Sequence, residues 1–268
     1  MTIDLSGKVA LVTGGSRGVG AATAAMLAQV GAQVAITYRE RQSAAEEVLV
    51  RIGEKRNVKS EKAIAIRADL SRREDCERVV QETVGAFGGL DIFVANAGVW
   101  PVDDIPVQEL DEERWRRTLG VNLDSVFFGC RAAVNVMRSE KRNVKSETGS
   151  GKIVIVSSTA AQRGESFHAD YAASKGAINS FVKSLAIEVA PDINVNAVAP
   201  GWIDTEMSRV PYERDGGSGR RTIEQAIPMQ RIASAADVAG PILFLCSDLA
   251  RHITGEILNI NGGAVLCG

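Results

Sequence analysis

Short apolar runs recur along the chain, separated by longer stretches in which apolar residues return every three or four positions. The runs Lys8–Thr13 (KVALVT), Gln33–Tyr38, Ala63–Ala68, Asp91–Ala95, Lys152–Ser157, Ile193–Val198 and Glu256–Ile260 predict strands. Most are near-continuous and rich in β-branched residues, the pattern of strands buried on both faces. Between them, Gly18–Val30, Ala44–Ile52, Arg73–Phe87, Asp111–Met137, Tyr171–Val189 and Ala236–Cys246 predict helices. This alternation predicts an α/β architecture, a doubly wound parallel sheet. No Pro/Ser-rich linker interrupts it, so residues 1–268 are expected to form a single domain. Residues 202–231 show little periodicity and contain the Gly-rich stretch Glu213–Arg221; they read as a substrate lid.

Composition narrows the partners. With 31 Lys+Arg against 33 Asp+Glu, the net charge of −2 gives no electrostatic case for nucleic acid or an anionic membrane surface. No apolar run approaches the roughly 20 residues that span a bilayer, and the opening Met1–Asp4 does not resemble a signal peptide. Cys76, Cys130, Cys246 and Cys267 are scattered without metal-ligand spacing, which fits a reducing cytoplasm and no metal site. The octamer EKRNVKSE occurs twice, at Glu54–Glu61 and Glu140–Glu147, each time between a predicted helix and the next strand. Charged loop insertions there are cheap in free energy. Removing both leaves 252 residues, a size that suits one doubly wound domain.

Thr13–Gly20 (TGGSRGVG) joins the first predicted strand to the first helix. Gly14–Gly18 matches the GxSxG nucleophile elbow of a serine hydrolase, with Ser16 as nucleophile and His168 or His252 as base. An elbow on the first strand, however, leaves no earlier strand to build the oxyanion loop. The spacing from Gly15 to Gly20 opens a phosphate loop, but Ala21-Ala22 stand where Lys-Ser/Thr is required. The third reading is dinucleotide binding, with Gly14, Gly18 and Gly20 letting the backbone approach a pyrophosphate at the helix N-terminus. Ser16, Arg17 and Val19 complete that turn. The second strand ends at Tyr38-Arg39, without the Asp or Glu that binds the ribose hydroxyls of NAD. Arg17 and Arg39 would pair a 2′-phosphate, so NADP is expected over NAD.

Ser158 follows a predicted strand; Tyr171 and Lys175 stand four residues apart on one helix face. An ammonium near a phenol favours the phenolate and is expected to lower its pKa, making Tyr171 a general acid/base for a carbonyl or alcohol. Ser158, at a strand C-terminus, could hold the same oxygen.

Together TGGSRGVG, ADL (Ala68–Leu70), NAG (Asn96–Gly98), Val121-Asn122, Ser157-Ser158 before YAASK, and APG (Ala199–Gly201) resemble the short-chain dehydrogenase/reductases over nearly the whole of residues 5–263. The resemblance implies a Rossmann fold and assigns roles by position. Asp69 and Leu70 would contact adenine, and Asn96, Ala97 and Gly98 would form the cofactor-side turn. Asn122, Ser158, Tyr171 and Lys175 would be catalytic: Asn122 fixes a relay water, Ser158 polarises the carbonyl, Tyr171 delivers the proton and Lys175 tunes it. Tyr171 and Lys175 would also border the cofactor. Pro200, Gly201, Ile203 and Thr205 would hold the nicotinamide. The resemblance further implies a homo-oligomer, a tetramer, through helices such as Tyr171–Val189; a monomeric sedimentation profile at micromolar concentration would contradict it.

The nearest likeness within the family is to 3-oxoacyl-[acyl-carrier-protein] reductases, whose substrate is a 3-oxoacyl thioester. Phe128 and Asp192 depart from it, because that group carries basic residues at these places to meet an acidic carrier. A dehydrogenase of a free small alcohol, ketone or sugar is the alternative. Trp202, Met207 and Tyr212 are apolar pocket candidates, and Arg209, Arg214, Arg220 and Arg221 could attract an anionic substrate.

Overall fold

Each predicted strand forms in the computed structural model of the chain, which describes residues 2–54, 63–141 and 151–267. They are β1 (Val9–Val12), β2 (Gln33–Tyr38), β3 (Ala63–Arg67), β4 (Ile92–Ala95), β5 (Gly151–Val156), β6 (Ile193–Pro200) and β7 (Ile257–Ile260). All pair in parallel, in the order β3-β2-β1-β4-β5-β6-β7. Burial on both faces explains their unbroken apolar runs. Leu11, Phe93, Ile153 and Val195 pack under α3 (Arg73–Phe87), α5 (Ser125–Lys141) and α7 (Ala169–Val189). Their neighbours Ala10, Val12, Val94, Val154 and Val198 face α1 (Gly18–Gln29), α2 (Gln42–Glu54) and α9 (Ala235–Leu245).

The strand order reverses between β1 and β4, which opens a crevice at their C-terminal ends. The repeated octamers lie, apart from their first residues, outside the described residues. α2 ends at Glu54 and α5 at Lys141, and the strands that follow, β3 and β5, begin at Ala63 and Gly151.

Two expectations are corrected. The segment read as one helix, Asp111–Met137, is α4 (Glu112–Leu119), a π turn over Gly120–Asp124, and then α5. The segment 202–231 is not irregular: after a 3₁₀ turn at Glu206–Ser208 it forms α8 (Arg209–Ala226). Pro211 and three glycines mask the helical signal. Gly216 and Gly217 adopt φ of +68° and +91°, so the winding is locally broken where the sequence argued for a loop.

Candidate active site

A cleft of about 370 Å³ runs along the C-terminal edge of the sheet, from the glycine turn to Tyr171. At the turn the backbone requires glycine. Gly14 and Gly18 have φ of +65° and +54°, and a Cβ on Gly20 would collide with the Gly14 carbonyl oxygen. α1 starts at Gly18 with no side chain capping it, leaving its first N–H groups to an anion. The fit to a dinucleotide pyrophosphate therefore rests on geometry as well as motif.

The turn is braced from β4. Thr13 Oγ1 accepts from the Asn96 and Ala97 N–H groups at 2.9 and 3.0 Å. Asn96 Nδ2 donates to the Thr13 and Gly14 carbonyls at 2.8 and 3.2 Å. Asn96 thus spends its amide on the protein, shaping the turn. Asp69 caps its own loop, accepting from Ser71 N and Oγ at 3.1 and 2.7 Å. Asp69, Leu70, Ser16, Val19, Ala97, Gly98, Pro200, Gly201, Ile203 and Thr205 all line the cleft.

The end of the cleft at the glycine turn carries more charge than Arg17 and Arg39 alone. Arg39 pairs with adjacent Glu40 through Nε and Nη2 at 2.9 and 2.6 Å. Arg41, not singled out from the sequence, lines the cleft beside them. Glu206, from the turn before α8, accepts from both Arg41 guanidinium nitrogens at 2.8 and 2.5 Å and from Arg17 at 3.3 Å. Sequence gave no signal for Glu206, because its partners lie 165 and 189 residues away.

At the other end β5 and α7 bring Ser158, Tyr171 and Lys175 together. Ser157 Oγ, at the end of β5, donates to Asn179 Oδ1 at 2.7 Å and so fixes α7 against the strand. Ser158 lies beside the Tyr171 hydroxyl, close enough to favour its ionised form. Lys175 Nζ donates to the Val156 carbonyl at 2.8 Å and sits 5.9 Å from the Tyr171 ring centroid. Asn122 is fully buried in the π turn. Its Oδ1 accepts from Val99 N at 2.8 Å, and its Nδ2 donates to Val99 O and Ser174 Oγ at 2.9 and 3.1 Å. A Cβ on Gly98 would approach Asn122 Oδ1 and Lys175 Nζ at 3.2 and 3.5 Å, so glycine keeps that floor open.

The lowered Tyr171 pKa expected from Lys175 is not found. Burial pushes the phenol up to about 12, against the Ser158 contact, and burial pushes the Lys175 ammonium down to about 8. The lysine points its charge at a backbone carbonyl rather than at the phenol. This predicts a pH-dependent cost of folding. Between the folded value of about 8 and the usual value of 10.5, the unfolded chain holds a proton that the native chain lacks. Stability contributed by this group therefore rises with pH across that window. Lys175→Met is expected to stabilise the fold at pH 7 by about 1–3 kcal/mol, the lost bond to Val156 offsetting part of the gain. The gain should vanish above about pH 10, as read by chemical denaturation at both pH values.

The remaining candidates sort clearly. Trp202 and Met207 line the cleft. Tyr212 does not: it is buried with Ile227 and Ile232, and its hydroxyl donates to the Ile203 carbonyl at 2.8 Å. Trp100, not singled out beforehand, stacks on buried His168 with centroids 4.5 Å apart and meets Trp202 edge-on at 6.3 Å. Arg209, Arg214, Arg220 and Arg221 do not line the cleft, and the first three pair with Glu213, Asp104 and Asp204, respectively. The hydrolase reading loses its base. Neither histidine lines the cleft with Ser16. His168 Nδ1 and Nε2 face the Ser166 and Pro101 carbonyls, and His252 is exposed before β7, at the opposite sheet edge. Among the described residues there is no cluster that could hold a metal ion, and no helix is long and apolar enough to cross a membrane.

A doubly wound sheet with a glycine-cradled cleft leading to a Ser–Tyr–Lys group defines a nicotinamide-dependent oxidoreductase fold. Residues 14–265 match the family model described as enoyl-(acyl carrier protein) reductase. The chain is 37% identical to versicolorin reductase 1 of Aspergillus parasiticus, covering 97% of each chain. It is 34% identical to a 3-oxoacyl-[acyl-carrier-protein] reductase of Synechocystis sp., covering 98% of each. A Brucella melitensis structure described as a short-chain dehydrogenase/reductase, glucose/ribitol dehydrogenase, superposes with a TM-score of 0.87 at 30% identity and full coverage of both chains. The chain belongs to the short-chain dehydrogenase/reductase family and is an oxidoreductase.

Proposed function

We propose that this protein is an NADPH-dependent reductase of a ketone or aldehyde, working reversibly on the corresponding alcohol. The observation that carries the proposal is the gathering of Ser158, Tyr171 and Lys175 at one end of a cleft whose far end bears Arg17, Arg39 and Arg41. A bound nicotinamide cofactor supplies the hydride donor or acceptor. Ser158 orients the substrate oxygen, and Tyr171 gives it a proton on reduction. With its pKa raised to about 12, the phenol is protonated at neutral pH, the state an acid must be in. Lys175 holds a proton close beneath, and Asn122 fixes the Val99 backbone beside it. Gly14, Gly18 and Gly20 cradle the pyrophosphate, and Arg17, Arg39 and Arg41 face the adenosine ribose.

The substrate we favour is a free, flat or apolar carbonyl compound. Trp100 and Trp202 flank the reactive end of the cleft, and stacking favours a ring or conjugated system there. Versicolorin reductases among the relatives agree with this. The second reading, a 3-oxoacyl thioester, is favoured by the 3-oxoacyl-[acyl-carrier-protein] reductases at 34–35% identity. A screen of NADPH and NADH oxidation against aryl ketones, β-keto thioesters and ketoses tests both readings. Clear preference for NADH overturns the cofactor assignment; turnover confined to thioesters overturns the substrate assignment.

A cytoplasmic homo-oligomer, a tetramer, is part of the same proposal. Phe127 on α5 is exposed and meets Phe181 of α7 edge-on at 6.3 Å, and Ile187 on α7 is 82% exposed, an apolar surface fit for a second copy.

A further inference from the structure

The Glu206 carboxylate sits where a cofactor phosphate would be expected. It bridges Arg41, through two hydrogen bonds, and Arg17, and it reaches them from the segment after β6, across the mouth of the cleft. That segment lies directly over the glycine turn: a Cβ on Gly18 would touch Thr205 Cγ2 at 3.4 Å. Arg17, Arg41 and Glu206 all line the cleft, and all three are roughly half exposed, so both guanidiniums can exchange one anion for another. Arg39 is occupied separately by Glu40, and Arg209 adds positive charge that also favours the Glu206 carboxylate.

We infer that Glu206 is a specificity-determining residue for the cofactor: an internal anion that competes with the ribose 2′-phosphate for Arg17 and Arg41. A ligand with a bare 2′-hydroxyl leaves the Glu206–arginine bridge in place. One with a 2′-phosphate must displace the carboxylate, because two anions cannot share the same two guanidinium edges without repulsion. The discrimination this chain achieves is therefore smaller than its arginines alone would give. Displacement also frees the turn that precedes α8, so the adenosine end is linked to the segment covering the reactive end. The inference rests on the arginines being the phosphate site proposed above.

Calorimetric titration with 2′-phospho-ADP-ribose and with ADP-ribose isolates the effect, since neither probe carries nicotinamide and no turnover occurs. Glu206→Gln is expected to tighten 2′-phospho-ADP-ribose by about three- to tenfold while ADP-ribose stays within about twofold. Arg41→Gln in the same titrations should lose most of the advantage of the phosphorylated probe. An unchanged ratio of the two affinities in Glu206→Gln overturns the inference, as does an equal gain or an equal loss for both probes. A wild-type chain that binds ADP-ribose more tightly than its 2′-phosphate overturns the NADP assignment instead. The Glu206→Gln ratio is read against wild type and decides the competition separately.

Discussion

Tyr171→Phe is expected to lower carbonyl reduction by about 10²–10⁴-fold, the usual contribution of a positioned proton donor. The ring stays and only the hydroxyl beside Ser158 is removed. Packing of α7 is therefore preserved, and binding of 2′-phospho-ADP-ribose at the far end of the cleft should stay within about twofold of wild type. Steady-state kinetics and titration on the same preparation check the two halves of this expectation. Retention of more than a tenth of the wild-type rate would remove Tyr171 from the proton-donor role. It would leave the fold and the family untouched.

The second large effect concerns the residue before it. Asp170 is fully buried and receives the Arg114 guanidinium at 3.1 Å and the Thr118 hydroxyl at 2.7 Å. Arg114 Nη1 donates further to the Asp103 carbonyl at 2.8 Å, so one buried pair joins α4, α7 and the loop after β4. Burial works to raise the Asp170 carboxyl, but the bonds from Arg114 and Thr118 outweigh it and hold the value below the ordinary one. Arg114→Met leaves a carboxylate buried without its main partner and is expected to cost about 3–5 kcal/mol. The double variant Arg114→Met with Asp170→Leu should recover part of that loss, because no orphaned charge remains. The sign with pH follows from the lowered value: the pair stabilises the fold above the unfolded carboxyl range and fades as pH falls through the folded one. Urea unfolding of wild type, Arg114→Met and the double variant at pH 7 measures the loss and its recovery. Equal stability of wild type and Arg114→Met would show that the pair contributes nothing.

Much of this was legible in the chain before any coordinates. Runs such as that at Lys152–Ser157 announce strands because burial on both faces favours unbroken apolar residues, and Gly14, Gly18 and Gly20 announce the cradle because positive φ at the first two and the close Gly14 carbonyl at the third favour glycine. The same local logic fails for α8, where Pro211, Gly216 and Gly217 lower helical propensity and tertiary contacts through Tyr212 override it. It fails also for Glu206, whose meaning depends on partners distant in sequence. The spacing of Tyr171 and Lys175 marks the pair but does not fix its protonation. Spacing puts an ammonium near a phenol, whereas burial and the Val156 carbonyl decide where the charge rests.

The π turn has a consequence for the rod formed by α4 and α5. Arg114, Thr118, Asn122, Val126 and Cys130 recur every four residues, and all are buried. In an uninterrupted α-helix a four-residue step overshoots one turn by about 40°, so such a series would spiral off any single face within three or four steps. A wider turn at Gly120–Asp124 winds back part of that drift. It acts as a phase correction: one end of the rod keeps its hold on Asp170, the other stays seated on the sheet, and Asn122 is left facing inward at the point of adjustment. Deleting one residue there should throw the two ends out of step without removing any contact residue, so loss of function would spread from the middle of a helix that still looks intact.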